Sequence, residues 1–225
     1  MALPPFVQDE LAAGALFVVN HSGGKDSQAL LIHLRAAGIP DHQMIIAHAD
    51  LGEVEWAGNV AHIQRYAGDI PILIAQPRRG FFEMVEARRM FPSPAQRQCT
   101  SDLKRGPIER EVRRFLKRCP GHSLRVVNCM GMRAEERPAR AKRSPWTFSA
   151  RNSKAGRVCH DWLPIHSLTE RQVFASIRLA GQDPHPIYSQ GMSRLSSRCC
   201  IMASRQDLTT AAGLSPELYA RYVAL

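Results

Sequence analysis

Acidic residues are in short supply in this chain. Asp and Glu number 20 against 30 Lys and Arg, giving a formal net charge of +10 over 225 residues. The pI is about 9.8. Such an excess reads as an electrostatic footprint for a polyanion, either nucleic acid or a phosphate-rich ligand. Long apolar runs are missing too. Residues 11–19 are too short to span a bilayer and contain Gly14. No secretory apolar segment stands out, so no membrane contact is expected and a reducing cytoplasm is the expected location. The six cysteines, Cys99, Cys119, Cys129, Cys159, Cys199 and Cys200, form no dense disulfide framework. Internal repeats and low-complexity tracts are absent. What remains is ordinary globular composition, 44% hydrophobic and 22% charged. The length suits one substantial α/β domain with a small appendage.

The apolar segments alternate with helical ones. Residues 15–20 (ALFVVN) read as a buried parallel strand, because they are apolar without alternation. Residues 28–37 have helical periodicity through Leu30, Leu31 and Leu34, stopped by Gly38 and Pro40. Strands are expected at 43–49, 70–75 and 124–130, and helices at 56–66, 81–89 and 102–118, the last with Asp102 as N-cap. Residues 1–10 read as a loose lead-in and 134–160 as a long polar loop or arm. A helix over 169–180 carries a Thr169/Gln172 capping box. Residues 183–198 read as irregular. A last helix at 214–223 has Ser215 as cap and Pro216 at its first position. This rhythm predicts an α/β fold: a doubly wound, mostly parallel sheet with helices on both faces. Residues 1–180 form the nucleotide-binding domain, and 181–225 a small irregular C-terminal region packed near the active site.

One segment carries chemistry at once. Residues 21–27 read HSGGKDS between a buried strand and a helix. Gly23 and Gly24 let the backbone turn tightly and let its N–H groups approach phosphate oxygens. The following helix adds free N–H groups and the positive end of its dipole. Ser22 and Ser27 offer hydroxyls, and Lys25 a mobile charge. Asp26 repels phosphate unless a cation bridges it, so it points to Mg²⁺ or to a structural bond within the loop. No other metal ligand is assigned. The loop is not the G-x-x-x-x-G-K-[ST] pattern of P-loop NTPases. Beyond it, Asp50 ends a strand at the ligand-facing edge of an open sheet. Arg133 lies just after the fourth strand with a fork suited to phosphate or sulfate. Lys104 is expected to begin a helix. His48 is open to a strand role or a ligand role. Cys99 sits near Arg97, Lys104 and Arg105, surroundings that lower a thiol pKa.

SGGKDS resembles the PP-loop of the ATP pyrophosphatases in the adenine-nucleotide α-hydrolase superfamily. The chain from Phe17 to Ala203 resembles its PAPS-reductase-like branch. That branch includes PAPS and APS reductases and the ATP-using proteins of DNA phosphorothioation. His48, Asp50 and Gly52 in AHADLGE resemble the second-strand segment beside the bound nucleoside. RQCTSDLKRGP from Arg97 to Pro107 resembles the reductases' R-x-C-C…K…P element. Gly131, Arg133 and Glu135 resemble the branch's G-x-R-x-x-E-S element, with Arg137 where Ser is usual, and Arg140 its trailing arginine. The stretch from His185 to Arg194 with Cys200 resembles H-P-L-Y…G…R…C-x-x-C.

The resemblance implies ATP with Mg²⁺, held by Ser22, Gly23, Gly24, Lys25, Asp26, Ser27, His48, Asp50 and Arg133. It implies catalytic roles for Lys25, Cys99, Lys104 and Arg133, and substrate contacts from Arg97, Arg140 and Arg194. Three departures shape the function. The E-C-G-[IL]-H tail of assimilatory PAPS reductases has no counterpart, since no cysteine follows Cys200. Only Cys99 and Cys200 match the cysteines of an iron–sulfur cluster, which disfavours that cofactor. The positive charge exceeds what a small sulfonucleotide needs. The leading expectation is therefore an ATP pyrophosphatase that adenylates a DNA backbone phosphate for sulfur insertion. Its partners are DNA, a cysteine desulfurase or other sulfur donor, and other modification proteins, with a homodimer left open. The alternative is a PAPS or APS reductase releasing sulfite with a thiol donor. A third is a nucleic-acid-binding module with a relict loop.

Overall fold

The computed structural model describes residues 3–119 and 123–225. Six strands form one sheet: β1 Leu16–Asn20, β2 Met44–Ala49, β3 Ile72–Ala75, β4 Arg125–Met130, β5 Trp146–Phe148 and β6 Val158–Trp162. Their order across the sheet is β3-β2-β1-β4-β6-β5. The first four junctions are parallel, and only β5 runs antiparallel at the edge. The expected α/β class with a mostly parallel sheet is the one that forms.

β1 is the axis of the molecule because LFVV is apolar on both faces. Phe17 and Val19 pack on one side with Leu30, Leu31 and Leu34 of helix α2 (Lys25–Ala36) and Val173 and Ile177 of α8 (Glu170–Leu179). Leu16 and Val18 pack on the other with Ile108, Val112 and Leu116 of α6 (Gly106–Arg118). Each buried side chain of this size contributes about 1.5–3 kcal/mol. The remaining helices are α1 Pro5–Ala12, α3 Asn59–Ala67, α4 Phe81–Arg88, α5 Gln98–Thr100, α7 Pro138–Ala141, α9 Arg205–Leu214 and α10 Pro216–Val223. Among the described residues no helix is long and apolar enough to cross a membrane.

Four local expectations are corrected. Residues 5–12 are helical rather than loose. Pro5 stands at the first helical position, where its missing N–H costs nothing, and Val7 is fully buried. Residues 134–160 are not an arm. β6 inserts beside β4 with Cys159 and Trp162 buried, and β5 closes the edge. Asp102 does not cap a helix, and Lys104 does not begin one. The helix starts at Gln98 and runs through a π-helical turn, Ser101–Arg105, straight into α6. There the Gly106 N–H donates to the Ser101 carbonyl. Finally α9 arises where no helix was expected, with the Ser204 hydroxyl accepting from Asp207 N–H at its start. The Thr169/Gln172 capping box forms as expected.

The segment after α8 folds back over the loop at residues 22–27. Tyr188 Oη accepts from Lys25 N–H at 2.8 Å. Lys25 Nζ donates to the Ser193 carbonyl at 3.1 Å. Arg198 N–H donates to the Val54 carbonyl at 2.8 Å.

Candidate nucleotide site

The loop is tied together from inside. Gly23 has φ +81, a left-handed conformation that suits glycine. Its N–H donates to His21 Nδ1 at 3.1 Å. Ser22 N–H donates to Ser27 Oγ at 3.2 Å, and that hydroxyl donates to the Gly24 carbonyl at 2.9 Å. Burial, reinforced by His48 and His62, holds His21 neutral, with its pKa lowered to about 3. A neutral ring keeps Nδ1 as an acceptor, which is what the Gly23 amide needs. The first turn of a helix has no internal partners for its N–H groups. Tyr188 takes the one on Lys25, and those of Asp26 and Ser27 remain at the helix start.

Beneath the loop lies a charged network. Arg133, only 4% exposed, donates from Nε to Asp26 at 2.6 Å and from Nη1 to Glu135 at 2.5 Å. Burial opposes its charge, but Asp26 and Glu135 outweigh that and raise its pKa. Lys25 Nζ lies 3.1 Å from Glu170 and 3.8 Å from Asp26, over the rings of Tyr188 and Phe174. Asp26 is thus flanked by two cations. With Arg133 on its carboxylate it does not fit as a free Mg²⁺ ligand in this arrangement. Among the described residues no three His, Cys, Asp or Glu side chains converge to hold a metal.

Beside the loop is a cavity of about 180 Å³ lined by Asn20, His21 and Ser22, by residues 47–49 of β2, and by Glu55, Asn59, Lys104 and residues 195–197. It lies at the carboxyl ends of β1 and β2, where open α/β sheets bind ligands. His48 Nδ1 donates to the His21 carbonyl at 2.8 Å. Its Nε2 lies 2.9 Å from Glu55 Oε1, off the axis of an aligned hydrogen bond. Burial disfavours charge on both, yet each stabilises the other: His48 is shifted up and Glu55 down. Asn59 donates to Glu55 at 2.6 Å, while its Oδ1 is buried with no partner among the described residues. That orphaned acceptor is ready for a donor on a ligand.

The structure therefore brings Ser22, His48 and Lys104 to one cavity. Asp50 lies at its margin, with a carboxylate that accepts from Gly52 N–H at 2.8 Å. Arg97 faces a neighbouring groove instead. Arg140 pairs with Glu136, and Arg194 donates to the Met202 carbonyl at 3.2 Å. Tyr188 falls in the H-P-L-Y-like stretch that begins at His185. Glu55 and Asn59 were not singled out from the sequence, and His21 stood out only as the residue adjoining the loop.

The cysteines correct the sequence reading. Burial, then the neighbouring Cys200, outweighs Lys104 and pushes the Cys99 thiol up, not down. Cys200 goes the other way. Burial opposes its thiolate, but hydrogen bonds from Met202 N–H and the Ser196 hydroxyl, with Lys104 and Arg194 nearby, bring it below the usual value. Ser196 also lines the cavity, four residues before Cys200 in the chain.

Residues 17–203 match the phosphoadenosine phosphosulfate reductase domain. The chain belongs to that family. Its members' fold is shared by a phosphoadenylyl-sulfate (PAPS) reductase from Candida auris in a phosphate complex, with TM-score 0.55 and 11% identity over 86% of this chain and 87% of that one. FMN adenylyltransferase from Candida glabrata, with FMN and the ATP analog AMPCPP, superposes at TM-score 0.50 and 14% identity, covering 85% and 58%. An uncharacterized 37.8 kDa protein of Escherichia phage 186 is 31% identical over 141 residues, 63% of this chain. The chain spans 40% of that relative's length. Membership places the chain among nucleotide-processing enzymes.

Proposed function

We propose that the cavity beside residues 22–27 binds an adenosine sulfonucleotide and reduces it with protein thiols. The observation that carries this reading is the cavity at the carboxyl ends of β1 and β2, lined by Lys104 and by residues 195–197, with Cys199 and Cys200 following that lining in the chain. The nucleotide's phosphates sit against the amides of Asp26 and Ser27 at the start of α2. Asn59 Oδ1 accepts from a ribose hydroxyl or the adenine amino group. The Cys200 thiolate attacks the sulfonate sulfur, and the sulfur–oxygen bond to the nucleotide phosphate breaks. The sulfonate passes to Cys200 as a thiosulfonate. Cys99, whose charge couples to Cys200, then attacks Cys200 Sγ. Sulfite leaves, and the two thiols end as a disulfide. Two electrons move from the thiols to the departing sulfite, and an external dithiol resets the pair.

A second reading is favoured by the loop itself. SGGKDS with two free amides and Lys25 suits the β,γ-pyrophosphate of ATP. Cleavage between the α and β phosphorus atoms then adenylates an oxyanion such as a DNA backbone phosphate, and a sulfur donor displaces the adenylate. A magnesium ion arriving with the triphosphate supplies charge neutralisation.

One comparison separates the two. Purified protein is incubated with PAPS or APS plus dithiothreitol, and separately with Mg–ATP, DNA and a persulfide donor. Sulfite from the wild type and none from Cys200→Ser supports the first reading. Pyrophosphate and AMP without sulfite supports the second. Silence in both reactions overturns both.

A further inference from the structure

Next to the nucleotide cavity runs a second and larger groove, about 1290 Å³, that neither reading uses. Eight of its lining side chains are arginines, none is a lysine, and Asp102 is its one carboxylate. Asp102 is already engaged, accepting from Gln98 Nε2 and Ser101 Oγ at 2.8 Å each. The arginines come from separate parts of the chain. Arg78 and Arg79 follow β3, Arg97 precedes α5, Arg105 ends the π turn and Arg113 lies on α6. All five are exposed. None has a carboxylate within ion-pair distance among the described residues. Arg88 hydrogen-bonds the neutral amides of Gln96 and Gln98, so its charge is also uncompensated. Only Arg110, beside Glu111, and Arg151, beside Glu109, are neutralised.

Six uncompensated guanidinium groups around one concavity repel one another. Such an arrangement is stabilised by an anion that supplies several charges along its length. Arginine in place of lysine favours oxygens presented in pairs, as on phosphodiesters. The groove is wider than a site for one small molecule. The π turn sets its position relative to the nucleotide cavity. Lys104 lines the nucleotide cavity, while its neighbours Leu103 and Arg105 line the groove.

We infer that this groove binds the sugar–phosphate backbone of a polynucleotide, with the arginines on successive phosphates. The groove lies outside the reductase reading. It also gives the second reading a place for its substrate, but it does not depend on turnover.

The test is binding without any adenine nucleotide. Fluorescence anisotropy follows labelled 20-mers of single-stranded DNA, duplex DNA and single-stranded RNA over a salt series. Counterion release predicts a log–log salt slope of about −4 to −5 for six phosphates. The variant Arg79→Gln/Arg105→Gln/Arg113→Gln removes three of the six charges. It should flatten the slope by about 2 to 3 and weaken binding at least tenfold at moderate salt. A charge-matched control, Arg137→Gln/Lys142→Gln/Arg143→Gln, changes three cations outside the groove lining and should change binding less than threefold. Thermal melts of both variants confirm folding. The arm among the three oligonucleotides with the tightest Kd identifies the preferred form. Equal losses in the two triple variants overturn the inference, since net charge alone then explains binding. So does absence of binding in all three arms, or competition by poly-aspartate as strong as by oligonucleotide. Loss of sulfite or pyrophosphate production with groove binding intact would instead refute only the reading of the nucleotide cavity.

Discussion

Gly131 offers a sharp test of how the loop is held. It follows β4 and lies against the first turn of α2. A Cβ at that position would sit 2.9 Å from the Asp26 carbonyl oxygen, 3.0 Å from the Asp26 carbonyl carbon and 3.1 Å from Ser27 N. Favourable contacts between heavy atoms lie at about 3.5–4.0 Å. All three neighbours are backbone, so Gly131→Ala forces the helix start away from β4 by about half an ångström. Overpacking of this kind costs about 1–3 kcal/mol. For a domain of this size that lowers Tm by about 2–12 °C. The displaced groups include the Asp26 and Ser27 amides, so nucleotide affinity should fall at least tenfold, about 1.4 kcal/mol. Differential scanning fluorimetry reads the first effect. Calorimetric titration with adenosine 3′,5′-bisphosphate and with a non-hydrolysable ATP analogue reads the second. Gly213→Ala is the paired control. Gly213 lies inside α9 with nothing within 4 Å of its added Cβ. There alanine should stabilise by about 0.5–1 kcal/mol and leave binding unchanged. Wild-type melting and binding in Gly131→Ala would refute the account of the loop.

Three further outcomes are expected. Arg133→Met leaves Asp26 without its main cation; since Asp26 is 24% exposed, the loss should be about 2–3 kcal/mol, below that of a fully buried pair. Adding Asp26→Asn should recover part of it in a double-mutant cycle by urea denaturation, and simple additivity would argue against direct coupling. The His48–Glu55 pair has a window of pH. The folded pKa of His48 lies above 6.5, so its contribution is complete below pH 6.5 and is lost as pH rises through the folded value. That of Glu55 lies below 4.5, so its contribution is complete above pH 4.5 and is lost as pH falls through the folded value. The stability gap between wild type and Glu55→Gln should therefore peak at about pH 5.5, and a gap that is flat from pH 4 to 9 would contradict the pairing. Limiting iodoacetamide near neutral pH should alkylate Cys200 before Cys99, as read by peptide mass spectrometry. The reverse order would contradict the thiol assignment.

The core of the fold is legible because its strands announce themselves. β1 and β2 are short apolar runs without alternation, and the loop between β1 and α2 has its glycines in sequence. The capping box at Thr169 needs only four neighbouring residues to recognise. β6 is not legible in the same way. Its buried positions, Cys159 and Trp162, stand among His160, Asp161 and a surrounding basic stretch, so no period emerges. The thiols fail for another reason. Arg97 and Arg105 are close to Cys99 along the chain but turn into the groove, while burial decides its pKa. Arg133 and Lys25 are correctly placed near the loop by sequence, but their acidic partners Asp26, Glu135 and Glu170 come from three different segments. Tyr188 belongs to a recognisable H-P-L-Y-like stretch, but its contact with the loop, like the place of Ser196 in the cavity lining, arises only through the return of the chain after α8, which no local periodicity encodes.

The π turn at Ser101–Arg105 has a consequence for how this chain can change over time. One extra residue is accommodated in that turn, and the Ser101 carbonyl presses to within 2.9 Å of where a Cβ on Gly106 would lie. Each residue added to or removed from a helix rotates its N-terminal part by about 100° relative to its C-terminal part. Deleting one residue there would relax the backbone into an ordinary helix and swing Lys104 away from the nucleotide cavity, while α6 stayed fixed on the sheet. The segment from Gln98 to Gly106 thus sets the phase between two walls, and insertions or deletions should be tolerated in the loop before Gln98 but not within the segment.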